Sequence, residues 1–248
     1  MNKNYISKFT IIITKLLLSL SILLSLNITY IALNKSYKIK ASEPQLYIRP
    51  EKVSISEAKK LLVEGNKRYV NNKTFANDIS DTMRKKLSSN GQKPFAVILS
   101  CSDSRVPPEL VFNQGLGDLF VIRNAGNVVD PIVLGSIEYG AEHLDAPLIV
   151  VLGHEKCGAV EAAIKGGETS ENITSILNKI KPSYNKVKNQ NQNIDEVINL
   201  TVNENINNSV ATISQSPVIK KLLDEKKISI IGAKYKMDTG EVIYDFSK

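Results

Sequence analysis

The chain has 248 residues, 42% of them apolar and 23% charged, with a formal net charge of +7. That is ample for one core and ordinary for a globular protein. Residues 1–41 carry six of the positive charges (Lys3, Lys8, Lys15, Lys35, Lys38 and Lys40) with no acidic residue or arginine. About +1 remains for the rest, which removes the main electrostatic support for a nucleic-acid partner, and none is expected.

Taken in chain order, the first segment reads as an export signal or a membrane anchor. Lys3, Lys8 and Lys15 precede "LLLSLSILLSLNITYIAL", residues 16–33. A basic stretch, an apolar stretch and a small residue beyond are the parts of a secretory signal, with Ile39-Lys40-Ala41 as a cleavage site. Left uncleaved, residues 9–33 would anchor the chain, their apolar stretch 16–33 approaching the length that spans a bilayer. The expected localisation is therefore outside the cell or in its envelope, with membrane contact only through this segment. No cysteine lies near Ala41, which excludes a lipid-modified lipoprotein.

Residues 42–248 read as a single domain. In "SISEAKKLLVEGNKRYVNN", Ser54 stands three residues before Glu57, a capping-box spacing, and Leu61, Leu62 and Tyr69 offer an apolar helix face. Four apolar runs of strand length follow: "FAVILS" (95–100), "LFVIRN" (119–124), "PLIVVLG" (147–153) and "ISIIGAKY" (228–235). Most are continuous rather than alternating, as in parallel strands covered on both faces. "PIVLGSIEYGAEHL" (131–144) and the Asn-rich stretch 170–215 carry helical spacing, the latter with a polar loop near 186–193. "GEVIYDFS" follows the turn signal Asp238-Thr239-Gly240. The fold class is α/β: a mainly parallel β-sheet flanked by helices, with an antiparallel C-terminal edge strand.

Two cysteines close two of these strands. Cys101 ends one, and His154 with Cys157 ends another. Carboxyl ends of neighbouring parallel strands converge on the crevice where ligands bind. Two thiolates and an imidazole suit zinc, and three protein ligands leave a fourth position open, as in catalytic sites. A Cys101–Cys157 disulfide is the competing reading for an exported chain. Asp103 and Arg105, two apart just past Cys101, could form a fixed carboxylate–guanidinium pair beside the metal.

"CSDSRV" followed some fifty residues later by "GHEKCG" resembles the β-class carbonic anhydrases. The resemblance runs from about Ile55 to the C-terminus, through "GNKRYV", "RNAGN", "GSIEYGAEHL" and "IIGAKYKMDTGEV". It implies one zinc ion per chain on Cys101, His154 and Cys157, with Asp103 and Arg105 as the catalytic dyad. The implied activity is reversible hydration of CO2 to bicarbonate and a proton through zinc-bound hydroxide. It also implies a substrate pocket of Gln92, Phe120, Tyr139 and Gly158, with Gln92 reaching across the interface of a homodimer or tetramer. Some members bind an inhibitory bicarbonate around a tryptophan three residues before the first ligand cysteine. That position is Ile98 here and the chain has no Trp, so an open site without that switch is expected. Hydrolysis of CS2 or COS on the same site, and a non-catalytic stapled protein, are the alternatives. His143, at the end of a helical stretch, reads as a surface residue rather than a proton shuttle.

Overall fold

The computed structural model describes residues 14–27, 30 and 53–244. The chain divides into two units, Met1–Pro44 and Gln45–Lys248. In the first, residues 14–27 form helix α1, whose leucines, Leu16 to Leu18 and Leu23 among them, all face outward. Its serines are internally satisfied: the hydroxyls of Ser19, Ser21 and Ser25 donate to carbonyls three residues back. Among the described residues no helix is long and apolar enough to cross a membrane. The rest of the expected export segment, with Ile39-Lys40-Ala41, lies outside the described residues.

The second unit is built on a five-stranded sheet: β1 (Ala96–Cys101), β2 (Leu119–Asn124), β3 (Leu148–His154), β4 (Ser229–Tyr235) and β5 (Val242–Ile243), in the order β2-β1-β3-β4-β5. The first four are parallel and β5 is antiparallel to β4, as the apolar runs predict. Every residue of β1 and β3 is buried, because alternate side chains enter two separate cores. Val97, Leu99, Ile149 and Val151 pack under one layer of helices. Ala96, Ile98, Leu148, Val150 and Leu152 pack on the other side with Ala58, Leu62 and Val111.

The second layer comes from α2 (Ile55–Val70) and the short α4 (Pro108–Val111), with α3 (Asp81–Asn90) between them in sequence. Ser54 caps α2 as its spacing predicts, its hydroxyl accepting from the Glu57 amide. The first layer comes from α5 (Pro131–Glu138), α6 (Gly158–Lys165), α7 (Glu171–Val187), α8 (Ile194–Ser214) and α9 (Pro217–Asp224). Two details differ from the sequence reading. The helix predicted over 131–144 ends at Glu138 and widens into a π-turn over Tyr139–His143, where a Cβ on Gly140 would lie 2.6 Å from Val97 Cγ2. The final strand pairs over two residues only, through Lys234 and Tyr235.

Strand order changes direction at β1, whose neighbours are β2 on one side and β3 on the other. The crevice beyond the carboxyl ends of β1 and β3 is the place where such sheets bind ligands. Cys101 and His154 are the last residues of those two strands.

Candidate metal centre

Beyond β3 the chain turns sharply. Lys156 has φ 53°, a left-handed kink that returns Cys157 toward His154 within three residues. Cys157 is the N-cap of α6, so its sulphur stands at the positive end of a helix, where a thiolate is favoured. Cys101, His154 and Cys157 thereby bring one ligand atom each within 4.8 Å of one another. All three are buried, and both cysteines are free thiols. The disulfide reading therefore has no bond to rest on here.

His154 is oriented for ligation. Its Nδ1 donates to the Glu155 carbonyl at 2.8 Å, so in the neutral imidazole Nε2 carries the lone pair on the side of the two sulphurs. That Nε2 is buried without a hydrogen-bond partner, a costly arrangement unless something else satisfies it. Two thiols and an orphaned imidazole nitrogen at this spacing fit a zinc ion. The charge balance agrees: the Cys157 thiol, hydrogen-bonded to Cys101, pulls the Cys101 thiol down against the opposing effect of burial. The same contact pushes Cys157 up, so the pair sheds one proton readily and needs a cation to shed the second.

Asp103 sits beside this group, with a carboxylate oxygen 3.8 Å from His154 Nε2. Arg105 grips it bidentately, Nε to Oδ1 at 2.9 Å and an Nη to Oδ2 at 2.7 Å, and its backbone amide donates to Oδ1 at 3.0 Å. These donors hold the Asp103 carboxyl well below the usual carboxylate range, with Arg105 the largest cause and partial burial opposing it. The pair predicted from a two-residue spacing is thus present, fixed and ionised. Ile98 lies fully buried within β1.

The other sequence-predicted residues fall elsewhere. Phe120 and Tyr139 do meet, with ring centroids 6.0 Å apart. Phe120, however, is paired with Val97, and Cys101 with Asn124. The aromatic pair is therefore four residues, roughly 13 Å, back along the strands from the ligands of its own chain. Gln92 is exposed in the segment before β1, at the opposite end of that strand from Cys101. Gly158 opens α6 next to Cys157, but a Cβ there would meet nothing within 4 Å, so its own chain does not require glycine. His143 is exposed and lies tilted against Tyr139, with ring centroids 5.3 Å apart.

Three residues not singled out from sequence support the centre. Arg123 donates to the carbonyls of Cys101 and Asp103 at 3.1 and 2.7 Å, bracing the end of β1 and the loop beyond it. The Gly126 amide donates to Cys101 Sγ at 3.3 Å. Glu155 lends its carbonyl to His154, while its carboxylate accepts from the Met237 amide at 3.1 Å. Arg123 and Gly126 belong to the "RNAGN" stretch. Its clustering of small and polar residues at the end of a strand was the available signal.

Fold and ligand set together define a mononuclear metal centre at the switch point of a parallel sheet. The family model described as carbonic anhydrase matches residues 96–242, which includes every ligand. "Carbonic anhydrase 2" of Mycobacterium tuberculosis is 38% identical over 189 residues, spanning 74% of this chain and 89% of that protein. The carbonic anhydrase of Mycolicibacterium smegmatis is 37% identical over 188 residues, with the same coverage. Among solved structures, the β-carbonic anhydrase of Coccomyxa, determined with acetazolamide, superposes with a TM-score of 0.62 at 26% identity, over 74% of this chain and 84% of that one. The chain belongs to the β-carbonic anhydrase family.

Proposed function

We propose that the protein catalyses the reversible hydration of carbon dioxide to bicarbonate and a proton, with one zinc ion held by Cys101, His154 and Cys157. The observation that carries this reading is the convergence of those three buried ligand atoms within 4.8 Å beside the ionised Asp103. Zinc in such a setting supplies a Lewis acid that lowers the pKa of water toward neutrality. The protein's own groups do the positioning. Asp103, ionised through the working range, accepts a hydrogen bond from the attacking water and aims its lone pair. Arg105 keeps that carboxylate in one orientation and out of competition for protons. Carbon dioxide carries no charge and needs no ionic binding group, only an apolar wall and one or two donors.

Phe120, Tyr139 and Gln92 supply that wall and a donor from a second copy of the chain. Their distance from the ligands of their own chain, set by the β1–β2 register, supports this arrangement, and an oligomer follows from it. The bidentate hold of Arg105 on Asp103, together with Ile98 in place of an aromatic anchor, supports an open site. The lysine-only charge of residues 1–41 and the apolar surface of α1 support export or anchoring at the cell envelope. Cell fractionation tests that part, and a wholly cytosolic pool would refute it.

Stopped-flow measurement of CO2 hydration tests the activity. Fast hydration is expected, abolished in Cys157→Ser together with bound zinc. A zinc-loaded protein without hydration would remove the CO2 reading and direct attention to COS and CS2.

A further inference from the structure

The Gly126 amide that reaches Cys101 Sγ sits in an unusual turn. Gly126 and Asn127 both have left-handed backbones, φ 74° and 43°, and the second is not glycine, so the turn is held rather than relaxed. What holds it lies about eighty residues away on α8. Asn205 Nδ2 donates to the Gly126 carbonyl at 2.8 Å, and Ser209 Oγ donates to the Asn127 carbonyl at 3.0 Å. The two are one helical turn apart on one face, so they grip two consecutive carbonyls.

Both side chains are buried, at 2% exposure each. Asn205 also leaves its Oδ1 buried with no hydrogen-bond partner, as Asn127 does its Nδ2. An unsatisfied buried polar atom is destabilising, and a leucine would fill the same volume without it. Simple core filling therefore does not account for Asn205. The same face of α8 reaches the other ligand strand as well. Ile206 packs so tightly on Gly153, next to His154, that a Cβ there would lie 2.6 Å from Ile206 Cδ1.

We propose that Asn205 and Ser209 of α8 are positioning residues for the metal centre, holding the 126–127 turn so that its amide stays hydrogen-bonded to the Cys101 sulphur. This rests on the reading of Cys101 as a zinc ligand. It gives the Asn-rich helix, whose composition looks featureless in the sequence, a specific part in metal retention.

The test measures zinc transfer from the folded, loaded protein to a colorimetric chelator, without substrate. Alongside it runs the thiolate-to-metal charge-transfer band of the cobalt(II)-substituted protein. Asn205→Leu should release zinc roughly 10- to 100-fold faster, the usual scale when an outer partner of a metal ligand is lost. Its cobalt band should shift. Ser209→Ala should move both readouts in the same direction by less, and it carries the test if Asn205→Leu does not fold. Asn207→Ala, exposed on the same helix, should match the unmutated chain. Unchanged release and an unchanged band in the folded variants would overturn the proposal, as would equal acceleration in Asn207→Ala. Because no substrate is present, failure to hydrate CO2 would count against the proposed function and leave this measurement intact.

Discussion

Asp103 shows how much of the centre depends on one neighbour. Its carboxyl is held low chiefly by Arg105, so the stability of the pair is present above the ordinary carboxylate pKa, near 3.9. That stability is lost as pH falls toward the lower folded value. Replacing Arg105 with alanine lets the Asp103 pKa rise toward the ordinary value, so the acid-side loss of hydration activity should begin at higher pH. A pH–rate profile of Arg105→Ala checks this, and an unmoved acid limb would contradict it. Asp103→Asn keeps the shape but not the charge, and should cost about 10²- to 10⁴-fold in kcat/KM with zinc retained. Gly126 is constrained twice over. Its φ is positive, and a Cβ would lie 2.8 Å from Ile180 Cδ1 and 3.2 Å from the Ala159 Cβ. Gly126→Ala should therefore destabilise the domain by about 1–3 kcal/mol, measurable by denaturant unfolding.

Among the elements, β1 and β3 were legible because both faces are buried, which writes them as unbroken apolar runs, while β2 and β4 keep apolar runs at partial burial. The capping of α2 was legible for a local reason, Ser54 and Glu57 at the right spacing. Residues 170–215 were legible as helices but not as part of the site, because Asn205 and Ser209 act on a turn far away in sequence. Composition cannot show which asparagine faces inward. The ligands and the Asp103–Arg105 pair were readable since each lies within a few residues of a strand end. The place of Phe120 and Tyr139 was not, because it depends on strand register rather than on spacing. Ile206 is fully buried against Gly153, so Ile206→Ala should cost about 2–5 kcal/mol. Ser54→Ala, at an exposed cap, should cost about 0.5–2 kcal/mol. Urea unfolding that ranks the two the other way would contradict this account of where the stability lies.

At the scale of the whole molecule, charge and chemistry are separated along the chain. The excess positive charge lies in residues 1–41, and the ligands lie between Cys101 and Cys157 in a fold of their own. The proposed export or anchoring role predicts that removing residues 1–41 leaves hydration per zinc unchanged and abolishes association with the envelope. On the proposed pocket, in which Phe120 serves a second copy of the chain, a lone copy is an incomplete catalyst, so activity per chain should fall on dilution. The most direct measurement is zinc-edge X-ray absorption on the purified protein, with zinc counted per chain. This account predicts one zinc per chain with two sulphur scatterers at about 2.3 Å and lighter nitrogen or oxygen neighbours at about 2.0–2.1 Å. A chain without zinc and without free thiols, or with zinc bound by fewer than two sulphurs, would contradict it.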